Sequence, residues 1–113
     1  MPDLTPPSLD HLKIFLVVVE EGSFNRAAKK LGRALSVISY AIAQLEAQLD
    51  VTLFERAGSR RPVLTETGRA LLSEAHAVTD GIDGLLAKVR SLRQGLEAEL
   101  AIAIDVMMPG EDG

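Results

Sequence analysis

The stretch from Ser23 to Glu46, SFNRAAKKLGRALSVISYAIAQLE, most constrains what this chain can fold into. Two apolar-periodic segments meet there at a short turn around Gly32. In the first, Phe24, Ala27, Ala28 and Leu31 fall at i, i+3, i+4 and i+7, the spacing that gathers side chains on one helix face. In the second, Ile38, Ala41, Ile42, Leu45 and Leu49 do the same. Ala27, Ala28 and Ala41 are small, so the two helices can cross closely. A short helix, a glycine turn and a longer helix make a helix-turn-helix.

The flanking chain supplies the rest of a small domain. Residues 1–7 contain three prolines and read as a flexible lead-in. Ser8 can cap a helix from Leu9 to Glu21, with Leu9, Leu12, Phe15, Leu16 and Val19 as its apolar stripe and Gly22 beyond its end. The β-branched run Val17, Val18, Val19 would favour a strand in isolation, but the flanking periodicity favours the helix. Ser23 can cap the next helix, which stops at Gly32. For the third helix Ala34 is a poor cap and Ser36 a better one, which sets its expected start two residues later. That helix should end near Leu49.

Beyond it the pattern changes. Val51–Arg56 and Pro62–Thr65 read as two short strands joined by the turn AGSRR, a wing with Arg56, Arg60 and Arg61 at or near its tip. Thr65 can cap a last helix, expected to reach Gln94 and stop at Gly95. In it Leu71, Ala75, Val78, Ile82, Leu85, Val89, Leu92 and Leu96 repeat at alternating steps of four and three, a heptad seam. Such a helix is roughly 40 Å long, more than a three-helix domain can cover, so the seam calls for a partner helix, most simply from a second copy. Residues 98–108, AELAIAIDVMM, alternate like a single β-strand. One strand cannot stand alone, and the expectation is that the sequence stops just inside a second domain.

The formal charge of −4 argues against a polyanion as partner only on average. Between Gly22 and Arg69 eight basic residues (Arg26, Lys29, Lys30, Arg33, Arg56, Arg60, Arg61, Arg69) face four acidic ones. A locally basic face is what phosphate contact requires, although an ordinary solvated helix face has the same composition. The chain has no apolar run long enough for a membrane helix and no signal-peptide pattern. No cysteine is present, which fits a cytoplasmic setting. His11 and His76 lie on different helices without companion ligands, Glu20 and Glu21 lack a nucleophile, and no nucleophile elbow or phosphate-binding glycine pattern occurs. These patterns indicate no enzyme, no cofactor and no metal.

In this order and spacing LDHLKIFLVVVEEGSF, AAKKLG, Ser39-x-x-Ile42-x-x-Leu45-Glu46, LFER and LTETGRALL resemble the N-terminal region of LysR-type transcriptional regulators, from about Leu9 to Leu96. The resemblance implies a mainly α fold, a winged helix-turn-helix of three helices and a two-stranded wing, followed by a long dimerising linker helix. It divides the chain into a lead-in over 1–8, a DNA-binding domain over 9–65, a linker helix over 66–95 and the truncated start of an effector-binding domain over 96–113. Any small-molecule effector is expected only in the absent part of that domain. Ser23, Arg26, Lys29, Lys30, Arg33, Leu35, Ser36, Val37, Ser39, Tyr40, Arg56, Arg60 and Arg61 are the expected DNA-binding residues, and the heptad residues the expected dimer contacts. Where the family commonly has Ser-Gln at the start of the recognition helix, this chain has Ala34 and Leu35. A glutamine reads an adenine edge by two hydrogen bonds, whereas leucine offers only apolar contact.

The function expected is sequence-specific binding of double-stranded DNA by a homodimer. Two alternatives remain at this level. One is the similar domain of molybdate-responsive regulators. The other is a helical protein-interaction module that works through its heptad helix.

Overall fold

A computed structural model describes residues 4–55 and 61–107. Its elements run α1 (Leu9–Glu21), α2 (Phe24–Leu31), α3 (Leu35–Leu49), β1 (Phe54–Glu55), β2 (Val63–Leu64) and α4 (Glu66–Met107). The first two helices begin and end where their capping residues dictate. Ser8 Oγ accepts from the His11 N–H at 3.1 Å and Ser23 Oγ from the Arg26 N–H at 3.2 Å, each satisfying a donor the helix leaves orphaned. Gly22 and Gly32 close α1 and α2 in the left-handed region, at φ 71° and 63°, where glycine meets no Cβ penalty.

The start of α3 departs from expectation. The helix begins at Leu35, with Ala34 in the capping position and Ser36 already inside the first turn. Ala34 has the extended backbone of a cap (φ −66°, ψ 147°) but no side chain that can accept a hydrogen bond. Backbone geometry at the turn, rather than a capping hydroxyl, sets this boundary.

The three helices close around an aliphatic core. Ile14, Phe15 and Val18 of α1, Ala27 and Ala28 of α2, and Ile38, Ala41, Ile42 and Leu45 of α3 are buried together with Leu53 and Phe54. Each large aliphatic side chain fully removed from water contributes about 1.5–3 kcal/mol. The alanines let α2 and α3 approach closely. Phe54 sits edge-on between Phe15 and Phe24, with ring centroids 5.8 and 5.7 Å away, so β1 is tied to α1 and α2.

The wing is shorter than its sequence pattern. Among the described residues, Phe54 pairs with Leu64 and Glu55 with Val63, antiparallel, and the ladder goes no further. Its base is joined to α4 through Thr65. The Thr65 N–H donates to the Leu53 carbonyl at 2.9 Å, and its hydroxyl donates to the Thr52 carbonyl. The same oxygen caps α4 by accepting from the Gly68 N–H at 2.9 Å. Gly68 is buried so closely that a Cβ there would stand 2.8 Å from Leu64 Cδ2 and closer still to the Leu53 carbonyl oxygen.

The chain divides into two compact units, residues 1–79 and 80–113. In the first, the start of α4 completes the core: Ala75 is 5% exposed, and Leu71 and Leu72 pack half-buried against it. Two of the expected seam positions therefore also pack within the chain's own domain, Ala75 buried and Leu71 half-buried. In the second unit Leu85, Val89, Leu92 and Leu96 are exposed along the helix and Ile82 is half-buried.

A correction concerns the end of α4. The helix does not stop at Gly95, and residues 98–107 are helical rather than a strand. Gly95 has only the modest cost of a helical glycine, about 1 kcal/mol relative to alanine. A helix satisfies its own backbone groups, whereas a lone strand leaves every one of them without a ladder. Leu100, Ile102, Ile104 and Val106 are exposed on this helix.

Candidate nucleic-acid interface

The core face of α3 fixes which of its residues point outward. With Ile38, Ala41, Ile42 and Leu45 buried, Ser36, Tyr40, Ala43 and Ala47 form the opposite row, all exposed. Leu35 and Ser39 flank this row on one side and Val37 on the other, and all three are exposed. The outward face of the N-terminal half of α3 is therefore open to solvent, and the outward row of its C-terminal half carries Ala43 and Ala47, with Gln44, Glu46 and Gln48 half-buried beside it. Tyr40 is 60% exposed. Its ring meets His11 edge-on at 6.4 Å, and its hydroxyl accepts from Gln44 Nε2 at 2.9 Å, which leaves the phenolic proton available to donate. His11 is thus half-buried against Tyr40 rather than wholly solvent-facing.

The basic residues of α2 and its turn cluster as expected, but most are paired. Arg33 Nη1 bonds both carboxylate oxygens of Asp10, at 2.9 and 2.8 Å, and ties the α2–α3 turn to the start of α1. Lys30 Nζ donates to Glu20 at 3.0 Å and Glu21 at 3.3 Å. These hydrogen bonds, that to Glu20 first, raise the Lys30 ammonium above its usual 10.5. A raised ammonium contributes its pairing fully below the ordinary lysine value and loses it as pH rises through the raised one. Arg26 Nε lies 3.9 Å from Glu21. Lys29 is exposed and has no acidic partner among the described residues. Asp10, Glu20 and Glu21 are therefore part of the electrostatics of this face. Their sequence distance from their partners, up to 23 residues, conceals it.

Ser23 is committed to its helix cap. Arg61 is exposed next to β2. Arg56 and Arg60 lie outside the described residues. Among the described residues no group of three or more His, Asp or Glu side chains is arranged to hold a metal ion, and no helix is long and apolar enough to cross a membrane.

Three helices, a two-stranded wing and an exposed N-terminal half of the third helix define a winged helix-turn-helix protein. Comparison with known proteins gives the family. Residues 9–69 match the sequence model of "Bacterial regulatory helix-turn-helix protein, lysR family". The probable HTH-type transcriptional regulator YhaJ of Escherichia coli K12 is 35% identical over 102 residues, which span 90% of this chain and 34% of that protein. The DNA-binding domain of BenM, in complex with the catB site 1 DNA, is similar at a TM-score of 0.73 and 35% identity, covering 78% of this chain and 94% of that one. The DNA-binding domain of CbnR in its DNA complex is similar at 0.70 and 31%, covering 76% and 98%.

The chain belongs to the lysR family of bacterial regulatory helix-turn-helix proteins. It spans about a third of the length of the curated relatives it matches first. The relatives are transcriptional regulators, not enzymes, and neither the molybdate-type reading nor the interaction-module reading is favoured.

Proposed function

We propose that this chain binds double-stranded DNA in a sequence-specific manner, as the DNA-binding part of a dimeric, cytoplasmic transcriptional regulator. The observation that carries the reading is the exposed N-terminal half of α3, set beside the cationic side chains of α2 and the turn. α3 enters the major groove, with Leu35, Ser36, Val37, Ser39 and Tyr40 toward the base edges. Arg26, Lys29, Lys30, Arg33 and the arginines of the wing, Arg56, Arg60 and Arg61, contact phosphates. That the similar BenM and CbnR domains form complexes with DNA supports the DNA-binding reading. Arg33 and Lys30 must share or exchange their carboxylate partners to do so.

Dimerisation is carried by the apolar row of α4, exposed at Val78, Leu85, Val89, Leu92 and Leu96 and half-buried at Ile82. Two copies place two recognition helices on half-sites about one helical turn, or a multiple of it, apart.

Binding to a random-sequence duplex, followed by fluorescence anisotropy at about 50 and 200 mM salt, tests the reading. The seven phosphate contacts proposed for one chain imply a loss of at least about a thousandfold in affinity across that range. Absence of binding at the lower salt, with the protein folded, would overturn it.

A further inference from the structure

We infer that α3 discriminates DNA sequences mainly by apolar contact with the C5-methyl groups of thymines, through Leu35, Val37 and the Tyr40 ring. The inference rests on the DNA-binding reading above and concerns what the helix reads. Base edges in the major groove are read strongly by side chains that make two parallel hydrogen bonds: arginine or lysine to guanine, asparagine or glutamine to adenine. From Leu35 to Leu49 α3 contains no arginine, lysine or asparagine. Its two glutamines are half-buried, and Gln44 is committed to the Tyr40 hydroxyl. Its one acid, Glu46, accepts from the Leu53 N–H at 2.7 Å on the side toward the wing.

What the helix does expose at its N-terminal end is apolar. Leu35 is 43% exposed and Val37 37%. They stand on the two flanks of the outward row, with Tyr40 in it one turn beyond Ser36. Two branched apolar side chains thus stand at the leading end of the helix, one on each flank of its outward row. A thymine methyl is the apolar group that the major groove offers. Cytosine lacks it, so methyl contact by itself separates a T·A from a C·G pair. Ser36 and Ser39 hydroxyls, and the free phenolic proton of Tyr40, add single hydrogen bonds. The serine bonds tolerate more than one base, because each of those hydroxyls both donates and accepts.

The test uses a duplex selected from a random pool by the protein itself. In that duplex each thymine is replaced in turn by deoxyuridine, which deletes the methyl and keeps every hydrogen-bonding group. One or two positions per half-site are expected to lose about fourfold in affinity, the worth of one buried carbon. The same replacement should cost the Leu35→Ala or Val37→Ala protein nothing further at the position each side chain covers. Both residues are exposed, and circular dichroism verifies the fold of each variant. Uniform indifference to deoxyuridine would overturn the inference while leaving DNA binding intact. So would unchanged sensitivity in both variants and in Tyr40→Phe and Tyr40→Ala proteins. Failure to bind any duplex at low salt would overturn both readings together.

Discussion

Alanine in place of Gly68 sets two effects of similar size against each other. Within a helix, alanine is favoured over glycine by about 1 kcal/mol. Gly68 lies in the first turn of α4, at an ordinary negative φ, so this gain is available. Against it, the new Cβ would stand 2.8 Å from Leu64 Cδ2, 3.3 Å from the Leu53 carbonyl carbon, and inside contact distance of the Leu53 oxygen. The leucine tip can rotate, but the Leu53 carbonyl is backbone and also receives the Thr65 N–H. Moving it away strains the hydrogen bond that anchors β2 and the cap of α4, worth about 1 kcal/mol. Overpacking of this kind costs about 1–3 kcal/mol. The net expectation for Gly68→Ala is a loss of about 1–2 kcal/mol, or a fall in melting temperature of about 4 °C or more for a domain this size. Gly95→Ala is the control, because nothing lies within 4 Å of a Cβ there. It should stabilise by up to about 1 kcal/mol. Both are read from urea or thermal denaturation followed by circular dichroism at one fixed protein concentration, since association shifts apparent stability. A Gly68→Ala protein as stable as the parent would refute the close approach of α4 to Leu53 and β2.

Ala34→Ser should raise stability by about 0.5–1 kcal/mol, because the backbone there already has the capping conformation and lacks only the hydroxyl; an unchanged midpoint in urea denaturation would count against that account. Asp10→Asn frees Arg33 from its bidentate partner and should tighten binding to random-sequence duplex by a few-fold at low salt, at a stability cost of about 0.2–1 kcal/mol for a solvent-exposed pair. Ile82→Glu places a charge in the apolar row and should yield monomers in sedimentation, whereas Leu71→Glu, half-buried against the domain's own core, should destabilise the fold as well. Replacement of Arg60 and Arg61 together by alanine should weaken binding across all sequences and reduce the salt slope by about one for each phosphate no longer neutralised.

The bounds of α1 and α2 were legible because Ser8, Gly22, Ser23 and Gly32 carry their structural roles in their chemistry. So was the core face of α3, since one period of 3.6 residues accounts for every buried position in it. Three features were not legible, each for a physical reason. Ala34 caps α3 by backbone conformation alone, and a reading that seeks a hydroxyl moves the boundary to Ser36. The heptad repeat marks an apolar stripe without saying what covers it, so Leu71 and Ala75 looked the same as Leu85 and Leu92. Residues 98–107 alternate like a strand, yet their leucine, alanine and glutamate content suits a helix equally well. With no ladder to join, the helix is what the structure shows. In the candidate site the basic residues were legible, whereas their pairing with Asp10, Glu20 and Glu21 was not, because it depends on how α1 crosses α2 and the turn.

The central claim is that α3, with the α2 turn beside it, meets DNA. Backbone amide NMR shifts recorded while a selected duplex is added test it most directly. The account predicts that the largest changes fall at residues 29–40 and at Arg61, with those of α4 beyond Thr79 little affected once the dimer is formed. Changes confined to α4, with the α2–α3 region unmoved, would contradict it.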